Sequence, residues 1–89
     1  MHAHIIVHGR VQGVGFRYTA QLRATEKALT GWVQNKEDGT VELEIEGADA
    51  TVTSFIEELE KGFHRFIQVD HMDVDTTSEE KGYTAFQIK

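Results

Sequence analysis

The chain has eighty-nine residues with no cysteine and no proline, which makes one domain over residues 1–89 with a single modest core and no disulfide or thiolate chemistry. Its net charge of −6, fifteen acids against nine Lys and Arg, excludes a broad nucleic-acid footprint. No apolar run approaches the roughly 18 residues of a membrane span and "MHAHIIVHGR" lacks the apolar core of a signal peptide, so a soluble cytoplasmic protein is expected.

"AHIIVH", Ala3–His8, is rich in β-branched residues and reads as a strand. It runs into "GRVQGVGFR", Gly9–Arg17, which holds three glycines, two arginines and no acid. Residues 1–25 as a whole carry Arg10, Arg17 and Arg23 and no acid, so they are +3 while the remainder is −9. A helix is expected from about Phe16 to about Lys27, because Ala20, Leu22, Arg23, Ala24, Glu26 and Lys27 all favour one. "LTGWVQNK", Leu29–Lys36, is strand-like, with Trp32 expected in or partly covered by the core, and "EDG", ending at Gly39, signals a turn. "VELEIE", Val41–Glu46, alternates strictly, which predicts a strand with Val41, Leu43 and Ile45 dry and Glu42, Glu44 and Glu46 solvated.

Asp49 is expected to cap a second helix, in which Val52, Phe55, Ile56 and Leu59 form one apolar stripe and Gly62 closes the end. "FIQVDHMDVD" reads as a fourth strand whose apolar positions change phase between Val69 and Met72, so a bulge or kink is expected near Asp70–His71. "TSEEKG" is a loop, and "YTAFQI", Tyr83–Ile88, is a candidate short edge strand.

The order β-α-β-β-α-β, with right-handed crossovers and both helices on the one dry face, predicts an α+β sandwich of the ferredoxin-like type. The mixed, largely antiparallel sheet should have four to five strands in the order 4-1-3-2. The first two strands then run the same way, and their C-terminal ends, carrying Gly9–Arg17 and Asn35, open on one rim. A strand, a glycine turn and a helix start make an anion trap, because free backbone N–H groups and the helix dipole converge there. Arg17 adds a planar fork suited to phosphate. A plain glycine turn with solvated arginines fits the same residues, and Arg10 fits either a steering or a purely surface role.

Histidines at positions 2, 4 and 8 share one strand face. Residues four apart on a strand are roughly 13 Å apart, too far to share one ion, and no carboxylate is near His2 and His4 in sequence, so solvent-facing strand histidines are expected there and no metal site.

"GRVQGVGFR" followed by "GWVQNKEDGTVE" resembles the acylphosphatase family, with Arg17 and Asn35 at the family's spacing. The resemblance is strong from Ile5 to about Gly47. It departs at Lys27-Ala28-Leu29, where the family has a Leu-Gly-Leu-like pattern, and at "KGFHRF", Lys61–Phe66, where a proline-bearing turn is common. What the resemblance implies is hydrolysis of an acyl phosphate to carboxylate and inorganic phosphate. The loop Gln12, Gly13, Val14, Gly15 and Phe16, together with Arg17, would hold the phosphoryl group, and Asn35 the attacking water. It implies no metal, no cofactor and a small-molecule partner for a monomer that engages neither nucleic acid nor membrane. A non-catalytic acyl- or carbamoyl-phosphate binding module on the same fold is the rival reading. An RNA-binding module is disfavoured by the glutamates of the third strand.

Overall fold

Period-two alternation sets the frame of the sheet. In the computed structural model, which describes residues 1–89, β1 (His2–Arg10) turns Ala3, Ile5 and Val7 fully into the core. The first helix, α1 (Phe16–Glu26), buries only Phe16, Ala20 and Ala24, one residue per turn. Two of the three are alanines, which lets the helix backbone lie close against β2 (Thr30–Asn35) and the terminal strand β5 (Phe86–Ile88). The hairpin partner of β2 is β3 (Val41–Glu46), in a register that sets Asn35 opposite Val41. Helix α2 (Asp49–Lys61) buries Val52, Phe55 and Leu59 and ends at Gly62, whose φ of 80° is the left-handed conformation expected there. The long strand β4 (Gln68–Thr77) completes the sheet.

Strand order is β4-β1-β3-β2-β5, with β5 parallel to β2 and every other pair antiparallel. The predicted 4-1-3-2 arrangement is thus extended by one strand beyond β2. Between β1 and β4, His8 faces His71 but Gly9 faces Val69, so Asp70 is the extra residue of a bulge. The bulge keeps Val69 and Met72 against the core. One continuous core runs from Ala3 through both helices to Phe86.

Three local expectations need correction. Asp49 does not cap α2: Ala48 is the N-cap, and the Asp49 carboxylate lies 3.3 Å from the Met1 ammonium instead. His2 and His4 are not free on the strand, because Glu44 and Glu42 on β3 take them at 2.9 and 2.6 Å. The glutamates of β3 are not a solvated row either. Glu44 and Glu46 are only 8% and 4% exposed, covered by the segment that follows β4. The Glu46 carboxylate accepts the backbone N–H groups of Lys81, Gly82 and Tyr83. Glu44 accepts from Tyr83 Oη at 2.6 Å and lies 3.0 Å from Lys81 Nζ. Alternation identifies which face a side chain takes, but not which distant loop lands on it. Burial pushes the Glu44 carboxyl up, yet hydrogen bonds from Tyr83, His2 and Lys81 outweigh it and hold it at about 2. Trp32 is buried as expected and donates its indole N–H to Tyr83 Oη at 3.1 Å.

Candidate active site

Strand β1 leaves the sheet at Arg10, and the chain turns through Gly13 and Gly15 before α1 begins. Both glycines have positive φ, 74° and 79°, a conformation that costs an L-residue roughly 1–2 kcal/mol. A Cβ at either position would meet nothing within 4 Å, so the requirement is conformational and the space in front of the turn is open. Gly15 is the N-cap of α1, and its carbonyl takes the first helical bond, from Thr19 N at 3.1 Å. The N–H groups of Phe16, Arg17 and Tyr18 therefore have no intrahelical partner. No acidic residue occupies the first turn, so the chain itself does not neutralise the positive end of the helix.

A cleft of about 210 Å³ opens at this rim. Gly13, Gly15, Phe16, Arg17 and Asn35 line it, so five of the seven residues singled out from sequence come together, from two separate parts of the chain. The other two support it. Gln12 Nε2 donates to the carbonyl oxygens of Lys36 and Thr40, each at 2.8 Å, and clamps the glycine loop to the hairpin that carries Asn35. Val14 packs against the core. The hairpin turn is itself braced, with Thr40 donating to Asp38 through both its hydroxyl and its backbone N–H. Those two bonds, the hydroxyl one foremost, lower the Asp38 carboxyl below its ordinary range.

Arg17 is half-buried, and its Nη1 donates to a main-chain oxygen of Lys89 at 3.1 Å. Arg23, further along the same helix, is paired with Glu58 at 3.3 Å, whereas Arg17 meets no Asp or Glu side chain. Asn35 ends β2 with its side chain exposed, its backbone fixed by the pairing with Val41. The remaining wall is Val11, Tyr18 and Ile88, none of which was singled out from sequence. Tyr18 could have been found from its place in the first turn of α1. Ile88 reaches the cleft only because β5 pairs in parallel with β2, a non-local contact that no local pattern announces. The cleft lining contains no His, Asp or Glu, so its positive potential comes from one guanidinium and a set of amides. Such an arrangement has the chemistry to hold a compact dianion and to stabilise charge that develops on it.

Known proteins match this chain along its length. A family model described as Acylphosphatase covers residues 3–88. The chain is 46% identical over 88 residues to the acylphosphatase of Oceanobacillus iheyensis, covering 99% of this chain and 97% of that one. The crystal structure of acylphosphatase from Bacillus subtilis superposes with a TM-score of 0.94 at 41% identity, covering 99% of this chain and 97% of the other. The crystal structure of T. kodakarensis HypF matches with a TM-score of 0.84 at 32% identity, over all of this chain but 12% of that one.

Proposed function

Because the chain belongs to the acylphosphatase family, we propose a division of labour at the rim cleft in which the glycine loop and Arg17 hold the phosphoryl group and Asn35 holds the water. The protein is a hydrolase that cleaves the carboxyl–phosphate bond of small acyl phosphates. The observation that carries the residue assignment is the convergence of donors at the cleft: Arg17, which meets a main-chain oxygen of Lys89 and no Asp or Glu side chain, and the amides of Phe16, Arg17 and Tyr18 without intrahelical acceptors.

An acyl phosphate is a mixed anhydride whose leaving group is a carboxylate with a conjugate-acid pKa of about 4, so it needs no general acid. Phosphoryl transfer asks the protein for positioning and for charge stabilisation at the equatorial oxygens. The loop amides and the Arg17 fork supply both. The Asn35 carboxamide oxygen accepts one proton of a water and aims its lone pair at phosphorus, in line with the departing carboxylate. The phosphate itself takes the proton that the water loses. No step calls on a metal ion. Val11, Tyr18 and Ile88 form the apolar side of the cleft against which the acyl group rests.

We place the enzyme in the cytoplasm, as a monomer of one domain. One core from Ala3 to Phe86 supports the single domain. The outer strand β4 exposes Asp70, Asp73 and Asp75, and like charges along an edge oppose pairing with a second copy. The rival, a non-catalytic binding module, draws on the occurrence of this fold as a small part of a far longer chain.

Phosphate release from a simple acyl phosphate, with and without chelator, separates the readings. Turnover that survives chelation and is inhibited competitively by inorganic phosphate is expected. Phosphate binding with no hydrolysis above the uncatalysed rate makes the protein a binding module, and turnover lost to chelator and restored by a divalent ion contradicts the metal-free cradle.

A further inference from the structure

The helix-free face of the sheet carries a second constellation, remote from the rim chemistry in composition. His8 on β1 lies directly opposite His71 on β4, and Asp73 follows two residues on, on the same face. Both imidazoles turn Nε2 to one carboxylate: His8 donates to Asp73 Oδ2 at 2.9 Å and His71 to Oδ1 at 2.8 Å. The two rings are 5.2 Å apart. One candidate ligand atom from each of the three residues lies within 4.8 Å of the others. Tetrahedral bonds of about 2.1 Å need ligand atoms roughly 3.4 Å apart, so small rotamer adjustments suffice to close the set on an ion.

Two other histidine–carboxylate pairs on this face set the standard of comparison. His2–Glu44 and His4–Glu42 each hold a single imidazole, and their carboxylates are also bonded to Tyr83 and to Gln34. At Asp73 both oxygens instead meet imidazole nitrogen, and no Lys or Arg competes for them. His71 faces His8 at the end of the unbroken ladder that starts at His2 and Thr77, just before the bulge at Asp70. The three side chains are 41%, 64% and 61% exposed, so a hydrated ion reaches them without unfolding the sheet.

We propose that His8, His71 and Asp73 bind one divalent ion of the zinc class. Two imidazoles and a carboxylate suit zinc, cobalt, nickel or copper and not magnesium or calcium, which favour oxygen ligands. Water completes the coordination.

The test is a zinc titration of the untagged full chain at pH 7.5, followed by calorimetry and by imidazole nitrogen resonances. One ion per chain is expected, with His8 and His71 shifting together and first. His71→Ala and Asp73→Asn should each weaken zinc binding by at least about tenfold, while His64→Ala, on an exposed histidine elsewhere, should not. Asp73→Asn preserves side-chain shape and carries the test if His71→Ala folds poorly. Zinc that shifts His64 as readily as His71, or that binds Asp73→Asn as tightly as the parent, overturns the site. None of these readouts depends on acyl phosphate turnover, so the proposal stands or falls apart from the rim chemistry.

Discussion

At the rim, Arg17 has a single main-chain oxygen as partner and three helix amides lack intrahelical acceptors; across the sheet, Glu44 and Glu46 are almost fully buried and every carboxylate oxygen meets a donor. The two regions lie on one 89-residue sheet and treat charge in opposite ways. Buried polar groups must be paired, because an unpaired one costs a few kcal/mol, whereas exposed donors can wait for a ligand at little cost. What separates a binding residue from a structural one here is therefore the partner, not the residue type. Arg17 and Arg23 share a helix, and only Arg23 is paired to a Glu side chain.

Substitutions at each region should test that contrast. The largest effect belongs to the rim. Arg17→Lys keeps the charge but loses the planar fork, so turnover should fall by roughly 10²–10³-fold with an unchanged melting temperature. Near-parent kinetics would remove Arg17 from the cradle.

Next comes the paired face, where the cost falls on stability. The Glu44 carboxyl, held at about 2 against an ordinary 4.5, contributes stability that is fully present above about pH 4.5 and is lost as pH falls toward and through 2. The size of that contribution is roughly 3 kcal/mol. Glu44→Gln should lower the urea midpoint at pH 7 and flatten its acid dependence relative to the parent, while leaving phosphate affinity at the cleft alone. An unaltered pH profile would mean that Glu44 is not held as the geometry indicates.

The smallest effect sits between the regions. Ala28 closes α1 with φ 58°, a left-handed conformation that suits glycine better. Its neighbour Leu29 bonds back to Ala24 O at 2.9 Å, so the turn is fixed. Ala28→Gly should raise stability by about 0.5–1 kcal/mol, after the entropy that glycine adds to the unfolded chain, and leave both kinetics and phosphate binding unchanged. The melting temperature reads it directly.

The rim was legible in the sequence because its parts are local. The glycine loop and Arg17 are contiguous, and Asn35 ends a strand whose direction follows from the element order. The bulge was equally legible, since the apolar phase of β4 breaks at Asp70. The paired face was not. Its glutamates are read correctly as pointing away from the helices, but their partners Lys81, Gly82 and Tyr83 lie beyond two further elements and carry no pattern of their own. The same holds for His71 opposite His8, for Ile88 in the cleft wall, and for Gln12, whose carboxamide braces the hairpin and would not be told from a ligand-binding one without the fold. The Lys27-Ala28-Leu29 departure was visible in the sequence, but its consequence, a left-handed alanine, is a property of the backbone.

The most direct measurement of the central claim pairs two numbers for Asn35→Ala: its affinity for inorganic phosphate and its turnover of an acyl phosphate, with thermal melting to establish that it is folded. A water-positioning contact acts on the reaction step, whereas the cradle holds ground and transition states alike. Phosphate should bind the variant with little change while turnover falls by about 10²-fold or more. A stably folded Asn35→Ala that hydrolyses acyl phosphate at the parent rate, or that loses phosphate affinity in step with turnover, contradicts the separation of cradle and water.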